Sequence, residues 1–161
     1  MKKFITLNKY GELYIDKILF ETYFPIIFTC KNENNDIFIC VCCQCNENGC
    51  KWLVGRTNGS CIVRMLQNEI TIRQLLLDCC TEKISVDYKN QEYVIAYNNS
   101  DWNEESDYLP KKDAYIDAEE GEFDEEIAYF TSIEHGEYNE EYYKIIIKGL
   151  STIGNTMVCI R

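Results

Sequence analysis

Five of the chain's ten cysteines fall within the eleven residues Cys40-Val-Cys-Cys-Gln-Cys-Asn-Glu-Asn-Gly-Cys50. Thiolates in such a run can hold zinc or exchange electrons, and reduced cysteine also packs as a small hydrophobe. Two C-x-x-C pairs overlap, Cys40 with Cys43 and Cys42 with Cys45, and Cys50 follows across Asn46-Glu-Asn-Gly49. The residues ahead of them, Ile37-Phe-Ile-Cys-Val41, are β-formers. In an extended strand Cys40 and Cys42 point to one face, and Cys43 and Cys45 to the other. Side chains on opposite faces cannot share one tetrahedral ion. A second ligand pair is also missing, since Cys61 stands alone, Cys79 and Cys80 are adjacent, and the one histidine is His135. The spacing therefore favours packing, with zinc on Cys40, Cys43, Cys45 and Cys50 as the alternative. A four-residue loop would set Cys45 opposite Cys50, where the two can pair under oxidation. A two-residue Asn48-Gly49 turn would set Cys45 opposite Trp52 instead.

Other candidate chemistry fails on spacing. Gly55-Arg-Thr-Asn-Gly-Ser60 resembles a phosphate-cradling loop but lacks the Gly-Lys-Ser/Thr ending, so it reads as a hairpin turn. Asp117-Ala-Glu-Glu-Gly-Glu-Phe-Asp-Glu-Glu126 invites a calcium reading. Its glycine, however, stands at loop position five and its twelfth residue is Ala128, not a bidentate glutamate. His135 sits in the polar turn Ile133-Glu-His-Gly-Glu137 with no nucleophile motif beside it.

The elements that would position these residues read as an α+β fold. Leu13 to Phe20, Phe24 to Cys30, the cysteine strand and Lys51 to Arg56 form an antiparallel meander over about residues 13–56. Pro25 is tolerated only at a strand start or an edge. Strands near 84–97, and a further one near 126–133, extend the sheet. Thr71 is a good N-cap for a short central helix over 71–80, with Ile72, Leu75, Leu76 and Cys79 on one face. Asn139 caps a longer C-terminal helix over about 140–158, whose stripe Tyr143, Ile146, Leu150, Ile153 and Met157 either covers the sheet or pairs with a second copy as a dimer. At 161 residues and 46% hydrophobic, one domain is expected over 1–161, with a strand-rich core over 1–100 and an acidic segment over 101–141.

Charge is distributed unevenly. The chain carries net charge −11, yet residues 101–141 alone hold sixteen acids against two lysines, and the remainder is slightly basic. Such a surface repels phosphates, so direct nucleic-acid binding is not expected. It attracts basic proteins. Asp117, Glu119, Glu120, Glu122, Asp124, Glu125 and Glu126 supply long-range steering, and Tyr115 and Phe123 supply aromatic anchors. The apolar run after Met1-Lys-Lys3 is interrupted by Asn8 and Lys9, and the longest one, Ile37 to Cys43, is far too short to span a bilayer. The expected compartment is the cytoplasm, without membrane contact.

The segment Leu13 to Phe28 with its Pro25-x-x-Phe28, the strand Trp52-Leu-Val54, the helix-bearing Leu66 to Leu77 and the step Tyr108-Leu-Pro110 carry a resemblance. Over about residues 13–117 the chain resembles a bacterial domain family that has no established activity. The resemblance implies a compact α+β domain and supplies no site; the cysteine-rich strand departs from the family pattern. Taken with the charge, the expected function is a non-enzymatic acidic protein-binding module with no cofactor. Its expected type is a bacterial or phage inhibitor of a basic nucleic-acid-acting protein, of the immunity, antitoxin or anti-defence kind. The alternative is a zinc-stabilised module or small metalloenzyme on the cysteine cluster.

Overall fold

The computed structural model describes residues 1–97 and 100–134. Seven strands follow one another in a single antiparallel sheet whose spatial order is their chain order. They are β1 (Lys3–Leu7), β2 (Gly11–Glu21), β3 (Pro25–Lys31), β4 (Ile37–Asn46), β5 (Gly49–Thr57), β6 (Lys83–Lys89) and β7 (Glu92–Ala96). Helices α1 (Gly59–Leu66) and α2 (Ile72–Asp78) lie between β5 and β6, and α3 (Asp124–Glu134) follows the sheet. The expected antiparallel meander is therefore present, as is a helix behind Thr71. The C-terminal helix expected over 140–158, its dimerisation stripe and His135 lie outside the described residues.

The sheet curls until it is nearly a barrel. Bulges interrupt the β1–β2, β2–β3 and β4–β5 ladders, and each bulge bends its strand and adds twist. The first and last strands consequently approach each other. The backbone N–H of Asn8 donates to the Tyr97 hydroxyl at 3.1 Å, and the rings of Phe4 and Tyr93 lie 5.5 Å apart. Curling divides the apolar residues into two cores. Phe4, Leu13, Phe28, Phe38, Trp52 and Val86 fill the concave side, while Ile39, Leu53, Ile62, Leu75, Leu76 and Phe130 lie between the convex side and the helices. Alternation along β4 feeds both, which explains why Ile37-Phe-Ile-Cys-Val41 reads as a continuous apolar run.

Local chemistry sets the helices. Thr71 and Gln74 exchange side chain to backbone bonds at 3.0 and 2.8 Å, a complete capping box. The Asn58 side chain accepts from the Cys61 N–H at 2.9 Å and starts α1. The expected hairpin turn at Gly55–Ser60 is thus corrected: Gly55 to Thr57 complete β5 and Asn58 caps a helix. The strand expected near 126–133 is also corrected, because these residues form α3. Asp124, Glu125 and Glu126 occupy its first turn, where carboxylates complement the helix dipole, and Phe123, Ile127 and Phe130 recur at helical spacing on the core side. Tyr129 of α3 ties it to the sheet by donating to Asp16 at 2.6 Å and accepting from Lys31 at 2.5 Å.

The cysteine hairpin resolves by a bulge that spacing alone does not reveal. Asn46 pairs with Gly49 and Cys45 with Cys50, and the register then slips between Cys42 and Gln44. Parity is shifted beyond Cys43. Cys45 is thereby moved off the face of Cys43 and onto that of Cys42 and Cys50, and the Cys45 and Cys50 sulfurs are bonded. Gly49 sits at φ +137°, and an added Cβ would come within 2.0 Å of the Tyr88 carbonyl oxygen, so this position admits no larger residue without displacement.

Candidate functional site

Residues 100–123 run as an acidic strap across the helical side of the sheet. Three apolar side chains, Trp102, Leu109 and Phe123, are buried in the convex core and hold it down. Between these plugs the fixing groups are mostly backbone. Arg73 donates to the carbonyls of Pro110 and Glu104, the Ile72 N–H donates to the Ala114 carbonyl at 3.0 Å, and Asn68 exchanges two 3.3 Å bonds with Ala118. The strap's side-chain carboxylates are largely left out of this scaffolding. An exception is Asp101, which accepts from Lys51 at 2.9 Å.

Of the predicted surface residues, Asp117, Glu119, Glu120, Glu122, Glu125 and Tyr115 are exposed, and Asp124 and Glu126 are half-buried. Phe123 is only 8% exposed, because its ring completes the core beneath α3; it anchors the strap and not a partner. Asp117, Glu119, Glu120 and Glu122 form no ion pair among the described residues. Glu122 instead accepts the Glu119 N–H at 2.8 Å and tightens the turn that precedes α3. Burial, reinforced by the charges of Glu125 and Asp124, pushes the Glu126 carboxyl above the ordinary glutamate range. Like charges are therefore crowded here at some cost to the fold.

A cleft of about 570 Å³ opens where the strap leaves the β4–β5 hairpin, lined by Gln44, Cys43, Asp101, Glu105, Asp107 and Tyr108 among others. Two of its lining residues are tied to Lys51, which bridges Asp87 and Asp101 and lies 4.7 Å from the centre of the Tyr108 ring. Burial opposes ionisation of Asp101, but the hydrogen bond and charge of Lys51 outweigh it and hold the carboxyl below the ordinary aspartate range. With Lys51 already engaged, Glu105 and Asp107 give the mouth a negative rim. This cleft was not anticipated: its acids were visible in composition, but nothing local links them to Cys43, some sixty residues earlier.

Among the described residues the thiols do not assemble a reactive or metal-binding centre. Cys40 is fully buried on the concave side, 3.7 Å from the Cys30 sulfur, whereas Cys43 faces the other core and donates to the Lys51 carbonyl at 3.3 Å. Cys45 and Cys50 are joined to each other. Cys40, Cys43, Cys45 and Cys50 therefore do not converge, and no three His, Cys, Asp or Glu side chains among the described residues form a metal-binding group. Burial pushes the Cys43 and Cys80 thiols up to about 12, and Cys79 up to about 11 with the help of its hydrogen bond with Cys61. Such thiols stay protonated at neutral pH and are poor nucleophiles.

No helix among the described residues is long and apolar enough to cross a membrane. Comparison of this chain with protein-family models, with curated proteins and with solved structures finds no match.

Proposed function

We propose that this protein is a non-enzymatic binding module that docks a basic protein through its acidic strap. The observation that carries the reading is the way the strap is held: apolar plugs and backbone hydrogen bonds fix it, while Asp117, Glu119, Glu120 and Glu122 remain exposed without cationic partners among the described residues. A carboxylate array on an ordered backbone loses little entropy on binding, and its field accelerates encounter with a cationic surface. Tyr115, 41% exposed beside these acids, supplies an aromatic contact, and the rim of Glu105 and Asp107 suits an inserted lysine or arginine.

The partner class that matches is a basic nucleic-acid-acting protein, for whose phosphate-binding surface such an array would imitate the phosphates. The module then works as an inhibitor of the immunity, antitoxin or anti-defence type in the cytoplasm. Affinity capture from the native host identifies the partner, and association rates then test the mode. Replacing Asp117, Glu119, Glu120 and Glu125 by Ser or Gln slows association at low salt, and raising the salt slows the wild type equally. A rate indifferent to both changes, with normal folding, rejects the reading.

A further inference from the structure

The concave core does not close at one end. A second cleft, of about 320 Å³, opens there between β1 and the starts of β3, β5 and β7, and Phe4, Phe28, Trp52, Tyr88 and Tyr93 form its walls. Its volume falls at the lower end of the range of small-molecule sites, enough for a ligand of about one to two rings. The walls form a connected aromatic set. Phe4 meets Phe28 at 5.1 Å, Trp52 at 5.7 Å and Tyr93 at 5.5 Å between centroids, all edge to face, and Tyr88 meets Tyr93 at 4.8 Å. Phe4, Phe28 and Trp52 are each less than a tenth exposed, so the ring open to a ligand is that of Tyr93, 43% exposed at the opening.

The indole Nε1 of Trp52 has no acceptor among the described residues but is closed off from solvent, so the ligand is specified by charge. The charge at the rim is the reverse of that on the strap. Lys2 and Lys3 border the opening and no carboxylate lines it; Lys3 is engaged by Glu12 at 3.1 Å, whereas Lys2 makes no ion pair among the described residues. In a protein of net charge −11 this is a cationic entrance to an aromatic recess.

We infer that this cleft is a binding site for a small planar aromatic carboxylate, which packs on the Tyr93 ring at the opening, over the wall formed by Phe4 and Trp52, and meets the Lys2 ammonium. The site is independent of the acidic strap, which packs on the other side of the sheet. Its ligand is a metabolite-sized molecule and not a protein.

The test is a titration of the full chain with 2-naphthoate and with its neutral analogue 2-naphthamide. It is read by calorimetry and by the two tryptophan indole N–H signals in ¹H–¹⁵N spectra. Saturable binding of one naphthoate per chain is expected, with a dissociation constant of about 1 mM or tighter. The Trp52 signal should move; that of Trp102, whose indole is likewise buried but lies in the convex core, serves as the internal control and should stay. Naphthoate should bind more tightly than naphthamide, and Lys2→Ala should abolish that difference. Tyr93→Ala at the exposed rim is expected to weaken binding severalfold in a protein that still folds. Failure of both probes to saturate, or an unmoved Trp52 signal, overturns the proposal. Equal affinity for the two probes overturns its anionic part.

Discussion

The acidic strap and the aromatic cleft lie on opposite sides of one curled sheet and are assembled by opposite means. The strap gathers its charge from one continuous stretch of chain, fixed by three buried side chains and a few backbone carbonyls. The cleft gathers Phe4, Phe28, Trp52 and Tyr93 from four strands spread over ninety residues, and exists only because bulges bend β1 toward β7. Recognition by the strap acts at a distance and is screened by salt, whereas recognition by the cleft rests mainly on contact, and salt screens only its Lys2 ammonium. One scaffold can therefore carry two sites that do not interfere, provided that the sheet separates their cores.

The sharpest way to break that separation is Trp102→Ala. Trp102 is 3% exposed and pins the strap to the convex core, so its loss is expected to cost about 3–5 kcal/mol in urea denaturation. Naphthoate affinity of the protein that remains folded should not change. A parallel loss of cleft binding would mean that the two cores act as one.

A smaller effect is expected at the hairpin that borders the cleft. Replacing Cys45 and Cys50 together by Ser opens a short covalent loop, so stability should fall by at most about 2 kcal/mol. Cys50 lines the cleft, so naphthoate binding should weaken slightly while strap-dependent association holds. Thermal melts with and without reductant check the first part and calorimetry the second.

Changing Asp117, Glu119, Glu120 and Glu125 to Ser or Gln sharpens the comparison from the other side. Association with a basic partner should slow about tenfold at low ionic strength, with naphthoate affinity unaltered and the melting temperature level or slightly raised. The smallest effect is at Glu126. Its pKa is raised in the folded protein above the ordinary value of 4.5, so the stability tied to its protonated form is complete below that value and is lost as pH rises through the folded pKa. Glu126→Gln keeps the neutral form at all pH. It should be more stable than wild type at pH 7, by less than about 1 kcal/mol because the carboxyl is half solvated, and the gain should vanish below pH 4. Melts at the two pH values decide it.

What could be read locally was read from local physics. Thr71 caps α2 and Pro25 starts β3, because caps and turns depend on residues within a turn of each other. The charge asymmetry was equally plain, since it is a property of composition. Helix α1 replaces the turn expected at Gly55–Ser60: the glycines at 55 and 59 suit a turn, but Asn58 ahead of Ile62, Val63 and Leu66 caps a helix. The stretch Ile127 to Ile133 suits either a strand or a helix period, and packing of Phe130 and Tyr129 into the convex core selects the helix.

Three features depended on tertiary structure alone. A one-residue bulge near Cys43 reversed the face of Cys45 and set it against Cys50, and a bulge is selected by how a whole sheet must bend. Phe123 left the list of surface anchors because the sheet and helices offered it a core. The aromatic cleft has no signature in sequence at all: its walls come from separate strands, and their convergence follows from the twist that sums along seven strands. Sequence by itself determined the strand-rich α+β class, the antiparallel order and the acidic stretch, since alternation, capping and charge act over a few residues. Which faces became cores, which thiols met and where the barrel stayed open were decided by packing, where each residue's place depends on all the others.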